Sequence, residues 1–321
     1  MSQIDVFNGD ADGICALQQL RLDNPMDSQL VTGIKRDIKL IRLITPHQGD
    51  SVTVLDISLD KNRPALIKVL DQQVHVTYFD HHYTGDIPDS PYLSAHIDTS
   101  ADTCTSLLVN RHLNGAHLAW AVAGAFGDNL HHAANQAALP LNLTTEQLSQ
   151  LQQLGECINY NGYGISLDDL HFHPGELYQL IHPYSDPFSF INESSTFQSL
   201  SDGYSEDMTH ARTSKPYIES DNASLYMLPN QPWARRVSGV LGNELARDNP
   251  LRAHAIISET GEGYFRVSVR APINNREHAD TLCMKFPTGG GRKAAAGINE
   301  LPEPSLDTFI EAFKETYKKQ V

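Results

Sequence analysis

Three acidic or acid–histidine groups stand out in the first half of this 321-residue chain: Asp10-Ala11-Asp12-Gly13, with Asn8 just before it; Asp56; and Asp80-His81-His82. Carboxylates crowded into one site repel each other and raise one another's pKa, and a divalent cation reverses the sign of that interaction. Mixed carboxylate and imidazole ligation suits manganese, and also accepts iron, cobalt or magnesium. Two aspartates offset by two residues, as Asp10 and Asp12 are, can serve two different ions while a third carboxylate bridges them. Two metals about 3.5–4 Å apart can bind an attacking hydroxide and steady phosphoryl oxygens during in-line displacement. The chemistry these residue types point to is metal-assisted hydrolysis at phosphorus.

Each group alone has an ordinary explanation. Asp-Ala-Asp-Gly is a common turn, an isolated Asp56 reads as a helix cap, and His-His pairs occur by chance, as His131-His132 illustrates. Position separates the three groups from such cases. Residues 4–7, 51–57 and 74–79 read as short apolar strands, and one group lies at or just past the end of each. Residues 13–22 and 63–73 read as helices, and 30–34 as a further strand. Alternating strands and helices predict crossover connections, a mainly parallel sheet and ligands at strand carboxyl ends, so that all three groups face one crevice. Helices are expected to dominate 101–154, with Pro140 and Thr144-Thr145 separating two of them.

The polar, Ser-rich stretch 192–213, flanked by Pro183, Pro187 and Pro216, reads as an inter-domain linker. Beyond it the pattern restarts with strands at 225–228, 253–258 and 264–270 and helices at 233–247 and 306–318. Gly261 and Gly263 lie where a hairpin turn belongs. The fold class expected is α/β in two domains. Residues 1–191 would form a mainly parallel sheet flanked by helices and 214–321 a smaller mixed-sheet domain, with the metal site in the crevice between them.

Together, Asp10-Ala11-Asp12-Gly13, Asp56 and Asp80-His81-His82 resemble motifs one to three of the DHH phosphoesterases. That superfamily includes RecJ-type exonucleases, nanoRNases with pAp phosphatase activity, cyclic-dinucleotide phosphodiesterases, exopolyphosphatases and family II pyrophosphatases. Gly127-Asp128-Asn129, after the apolar run 120–126, resembles the fourth motif. The run Gly289-Gly290-Gly291-Arg292-Lys293-Ala294-Ala295-Ala296-Gly297 resembles the GGGHxxAAG signature of the DHH-associated domain, and Arg270 resembles its substrate-contacting arginine. Glycines there would let backbone amides approach a phosphate, and small residues would let a following helix start beside it.

The resemblance covers nearly the whole chain and implies roles. Asp10 and Asp56 would hold one divalent ion; Asp12, Asp56, His81 and Asp128 would hold a second, with Asp56 bridging and Mn2+ the foremost choice over Mg2+, Co2+ or Fe2+. His82 would contact the scissile phosphate or assist the leaving group, and Asp80 would orient the histidines. Gly289, Gly290, Gly291, Arg292 and Arg270 would hold the terminal phosphate or nucleotide. Two positions depart from the pattern. Asn8 stands where many relatives carry histidine or aspartate, and is a weaker, neutral ligand. Arg292 stands where histidine is usual, and keeps a donor but cannot exchange protons.

With 24 basic against 39 acidic residues the net charge is −15. Proteins that coat long nucleic acid show basic stripes, because phosphate neutralisation supplies most of the affinity. The acidic balance therefore favours a short substrate (a nanoRNA, a linear dinucleotide or a pAp-like nucleotide) over a RecJ-like processive exonuclease. The latter needs a basic channel, for which Arg212, Lys215, Arg235 and Arg236 are the loose candidates. A nucleotide-binding regulator with a weakened centre, suggested by Asn8, is a second alternative; a polyphosphate or pyrophosphate hydrolase ranks lower because lysines do not cluster. Four cysteines without CxxC spacing predict a reducing, cytoplasmic compartment. No apolar run approaches the roughly 20 residues of a membrane helix, and the first residues lack the basic-then-apolar order of a secretion signal. No membrane partner is expected, and oligomeric state, a homodimer included, stays open.

Overall fold

β-Branched runs separated by helices build the first part of the chain. The computed structural model describes residues 2–261 and 263–318. The chain divides into two units, Met1–Gly203 and Tyr204–Val321. The first opens with β1 (Gln3–Phe7), α1 (Ala11–Asp23), β2 (Ser28–Val31), β3 (Ser51–Leu55), α2 (Leu59–Asp71), β4 (His75–Asp80) and β5 (Leu93–Ile97). All five strands pair in parallel in the order β2-β1-β3-β4-β5. A parallel sheet covered on both faces needs apolar side chains pointing both ways. Ile4, Val6, Val52, Val54, Val76 and Tyr78 meet Leu66, Val69 and Leu70 of α2 on one face. On the other, the buried Asp5 of β1 accepts from Arg21 Nε of α1 at 2.8 Å.

Helices follow: α3 (Thr105–His112), α4 (Leu118–Gly127), α5 (His131–Ala138), α6 (Thr145–Asn161), α7 (Pro174–Ile181), α8 (Pro187–Glu193) and α9 (Ser195–Thr213). Thr144 starts α6 with a reciprocal capping box to Gln147. Three of the helices touch through glycine. A Cβ on Gly155 of α6 would lie 2.1 Å from Ala123 O of α4, and one on Gly127 would lie 2.3 Å from Ala11 Cβ of α1. This close approach sets the end of α4, and with it Asp128, beside the start of α1.

The second unit continues with β6 (Ile218–Glu219), β7 (Ala223–Leu228), α10 (Pro232–Asp248), β8 (Ala253–Gly261), β9 (Tyr264–Arg270), α11 (Ala279–Cys283), β10 (Gly289–Arg292), β11 (Ala295–Pro302) and α12 (Leu306–Thr316). Its sheet runs β10-β11-β9-β8-β7-β6 and is mixed, with β7 and β8 parallel and the remaining pairs antiparallel. Val267, Val269, Ile257 and Ile298 pack against Phe309 and Phe313 of α12. The chain is thus α/β, with a parallel sheet flanked by helices and a separate mixed sheet.

Several expectations are corrected in detail. The stretch 192–213, read as a linker, is mostly α9, and the division between units falls inside it. Its buried residues Phe197, Leu200, Met208 and Ala211 recur at helical spacing among serines that mask the pattern. β2 lies earlier than 30–34, because Ser28 to Val31 pair with Gln3 to Val6. α2 starts at Leu59 rather than Arg63, its first amide donating to Asp80 Oδ2 at 3.2 Å. The glycine run 289–291 is a strand, not a loop, and a strand rather than a helix follows it. All four cysteines are buried free thiols. Among the described residues no helix is long and apolar enough to cross a membrane.

Gly155→Ala forces α4 and α6 apart. It should lower the first unit's unfolding free energy by about 1–3 kcal/mol, measured by urea denaturation followed at Trp120 in a Trp233→Phe background. An unchanged midpoint would contradict the backbone-close packing.

Candidate metal centre

The sheet's carboxyl edge gathers Asp10, Asp12, Asp56, Asp80, His81 and His82, and α4 delivers Asp128 to the same place. Asp56 follows β3 directly in a left-handed conformation, φ 57°, unusual for a residue with a side chain. Its amide donates to Phe79 O of the neighbouring strand at 3.0 Å, which holds that strained turn. Asp12, in the first turn of α1, is gripped by the start of α3: Thr105 N and Ser106 N donate to its two carboxylate oxygens, each at 2.7 Å. Backbone amides at a helix start are a fitting cradle for an anion. The Thr105 hydroxyl donates to Asp56 Oδ1 at 3.1 Å, tying the two aspartates to one helix end.

His81 stands among them. Its Nδ1 lies 3.0 Å from Thr103 O, and a carbonyl can only accept, so Nδ1 carries the proton in the neutral ring. The Nε2 lone pair then faces Asp56 Oδ1 at 3.3 Å, Asp128 Oδ2 at 3.8 Å and Asp12 Oδ2 at 3.9 Å. An octahedral ion with bonds of about 2 Å places adjacent ligand atoms about 3 Å apart, so a modest inward shift closes this set around one cation. The ligand atoms of Asp12, His81 and Asp128 lie within 4.8 Å of one another, as do those of Asp56, His81 and His82. Both groups share His81, whose Nε2 lone pair serves one ion.

Asp80 and His82 form a second layer. Asp80 is fully buried; its Oδ1 accepts from His82 Nδ1 at 2.7 Å and its Oδ2 from the start of α2. Burial would push the His82 imidazole's pKa down, but the hydrogen bond and charge of Asp80 override this and raise it. His82 is the more open of the two rings, its side chain 36% exposed.

The electrostatics favour a cation. Burial raises the Asp56 carboxyl well above its ordinary range, and Asp12, Asp10, Asp128 and Asp80 push it further. Burial likewise raises Asp128, against the pull of Lys35. Without a metal these acids bind protons more readily than usual, and a divalent ion would compete with those protons.

Asp10 is engaged differently. Its Oδ1 caps α1, accepting from Asp12 N and Gly13 N at 3.1 Å each. Its Oδ2 meets Lys35 Nζ at 2.6 Å. Burial would raise Asp10, but Lys35 prevails and holds it below its usual value. Lys35 follows β2 at the same sheet edge and gave no sequence signal beyond that position. Asn8 is buried and its Oδ1 accepts no hydrogen bond, so that oxygen keeps its lone pairs uncommitted. Thr103, Thr105 and Ser106 also escaped the sequence reading; a Thr-Cys-Thr-Ser run ahead of an apolar helix was the available cue.

The candidate phosphate residues lie in the second unit. Arg270 and Arg292 each sit opposite Ala295, on the two strands flanking β11, so their side chains share one face of the sheet. Arg270 Nε donates to Asn243 Oδ1 at 2.8 Å, and Arg292 is exposed. Gly289 has to be glycine, since a Cβ would meet Cys283 O at 1.9 Å. Gly290 borders open space.

No family model and no curated protein matches the sequence. Solved structures do. RecJ from Thermus thermophilus, in complex with Mn2+, superposes on 99% of this chain with TM-score 0.64 and 16% identity. This chain spans about half of that protein, 52% of its length. A pGpG-specific phosphodiesterase from Vibrio cholerae matches with TM-score 0.56 and 12% identity over 99% of both chains. The chain has the fold of the DHH phosphoesterases. CDC45 from Entamoeba histolytica is also similar, with TM-score 0.50 and 9% identity over 99% of this chain and 95% of that one. The DHH fold thus accounts for the order in which the motifs meet the strands.

The raised acids set a pH dependence. Asp56 and Asp128 have raised pKa values when folded, so in EDTA the folded state binds more protons than the unfolded chain above about pH 4. His82, raised above its unfolded value, acts in the same direction near neutrality, while His96, lowered chiefly by burial, opposes it. Stability of the first unit in EDTA should therefore fall as pH rises from about 4 to 8, and Mn2+ should flatten the slope. Thermal melts across that range check it; stability rising with pH in EDTA would refute it.

Proposed function

We propose that this chain is a divalent-metal-dependent phosphoesterase that hydrolyses phosphodiester or terminal phosphate bonds of short nucleotides. The observation that carries the reading is the Nε2 lone pair of His81 facing Asp12, Asp56 and Asp128 at 3.3–3.9 Å, its tautomer set by Thr103. These residues would hold the ion, and Mn2+ suits their oxygen-and-imidazole set. When bound, such an ion supplies a water of lowered pKa and positive charge against phosphoryl oxygens. The neighbours, a RecJ in complex with Mn2+ and a pGpG-specific phosphodiesterase, lend support.

The chain's own residues do the rest. Asp80 fixes the His82 ring through Nδ1, which leaves Nε2 to donate a proton to the leaving oxygen. The raised pKa of His82 favours the protonated ring that role requires. Asp56, anchored by Thr105, keeps a carboxylate between His81 and His82. In the second unit, Arg270 and Arg292 would clamp a phosphate with permanent charge.

A short substrate fits better than a long single strand. Two of the four cations offered for a basic channel are committed elsewhere. Arg212 meets Glu244 through two bonds of 2.7 Å, and Arg236 meets Asp207 at 2.7 and 3.1 Å. Paired in this way they contribute little to phosphate neutralisation.

A manganese-dependent assay over dinucleotides, cyclic dinucleotides, pAp, pyrophosphate and a length series of oligonucleotides tests the reading. Turnover should be highest on two- to five-nucleotide or smaller substrates. Asp12→Asn should abolish it, and His82→Ala should lower kcat by about 10²–10⁴-fold. Equal rates on long and short strands would favour a RecJ-like exonuclease. Tight nucleotide binding without turnover would favour a regulator.

Arg270→Ala should raise KM about tenfold or more while leaving Mn2+ uptake unchanged, the loss of one charge-assisted phosphate contact. Steady-state kinetics beside metal analysis reads both, and an unchanged KM would remove Arg270 from the substrate site.

A further inference from the structure

We infer that Lys35 occupies the place of one of the two cations expected in this constellation, so that the centre binds a single divalent ion. The inference rests on the proposed metal-dependent reading. It concerns how many ions the site takes.

The ammonium is liganded as a small cation would be. Lys35 Nζ lies 2.6 Å from Asp10 Oδ2, 2.7 Å from Asn159 Oδ1 and 3.7 Å from Asp128 Oδ1, with the Tyr163 ring 5.6 Å away. Of the three donor protons of a lysine, two meet Asp10 Oδ2 and Asn159 Oδ1, while Asp128 Oδ1 faces the charge without a hydrogen bond. Asp10 keeps no idle oxygen: Oδ1 caps α1 and Oδ2 holds the ammonium. A dication bonded to Oδ2 at about 2 Å would need the position Lys35 has taken, and would meet a like charge there.

The remaining ligands sort to the other side. Asp12, Asp56, His81, His82 and Asp128 supply both groups able to close on an ion, and Asp10 belongs to neither. Asp128 faces both ways, Oδ1 toward Lys35 and Oδ2 toward His81 Nε2 at 3.8 Å. It therefore stands between ammonium and metal as a bridging carboxylate stands between two metals. Asn8, neutral where a charged ligand would strengthen a dication, lies on the same strand end as Asp10, and its Nδ2 donates to Lys35 O at 3.4 Å.

Lys35 itself is well held. Its ammonium stays between Asp10 Oδ2 and Asn159 Oδ1, both within hydrogen-bond distance.

The test is manganese stoichiometry of the full chain, by calorimetric titration and by elemental analysis after desalting. Wild type should take up one Mn2+ per chain. Lys35→Met and Lys35→Gln should each take up two, because Asp10 regains an open oxygen. Lys35→Arg keeps the charge and should stay at one, as should Asp10→Asn. Circular dichroism shows which variants fold, and the Asp10→Asn and Lys35→Arg arms remain decisive if the uncharged variants do not. Two ions on wild type, one ion on folded Lys35→Met and Lys35→Gln, or a fall below one in Asp10→Asn overturns the inference. No manganese on wild type overturns the metal-dependent reading itself, a different failure from two.

Discussion

Carboxylates forced together at one edge of a sheet repel each other, and the rest of the first unit can be understood as the answer to that repulsion. Asp10, Asp12, Asp56 and Asp80 are all nearly inaccessible to solvent, and Asp128 joins them from α4. Water cannot screen them. Each is instead met by a specific partner: Lys35 and a helix start for Asp10, the α3 amides for Asp12, the Thr105 hydroxyl for Asp56, and His82 with the start of α2 for Asp80. These bonds fix the geometry but do not cancel the charge, as the raised carboxyls of Asp56 and Asp128 record. A divalent ion would complete what hydrogen bonds leave undone.

Two helix starts therefore serve a purpose beyond secondary structure. The first amides of α3 hold Asp12, and the first amide of α2 holds Asp80. Both helices begin at the same sheet edge because each follows the carboxyl end of a parallel strand, α2 after β3 and α3 after β5. The topology that gathers the acids thus also supplies positive helix ends to receive them. The glycine contacts among α1, α4 and α6 matter for the same reason, since Asp128 reaches the centre only when α4 approaches α1 closely.

Much of this was legible in the sequence. The strand-then-acid order placed Asp10, Asp56 and Asp80-His81-His82 along one edge, and the structure brings Asp12, Asp56, His81 and Asp128 within a few ångströms of one another. What stayed hidden depended on partners distant in sequence. Lys35 reads as an ordinary lysine after a weak strand until Asp10 and Asn159 are seen against it. The edge strand β5 carries Ser94 and His96, so its alternation is faint. Helix α9 hides its apolar stripe among serines and acids, whose abundance gives the stretch the composition of a linker. The glycine run forms strand β10 because Gly290 and Gly291 pair with Gly297 and Ala296, a register no local rule announces.

The division of labour between the two histidines follows from which atom each neighbour offers. Thr103 presents a carbonyl to His81 and Asp80 presents a carboxylate to His82, and both rings consequently carry hydrogen on Nδ1. The carbonyl fixes only which nitrogen carries hydrogen, so His81 Nε2 is turned toward Asp12, Asp56 and Asp128, where a metal would sit. The carboxylate is charged, so it also stabilises the imidazolium form of His82 and suits that ring to giving up a proton. Adjacent residues of the same type thereby acquire opposite chemical roles from one backbone oxygen and one side chain. Exchanging those partners, rather than the histidines, would be the more sensitive way to disturb the centre, because ring positions would survive while the proton inventory changed.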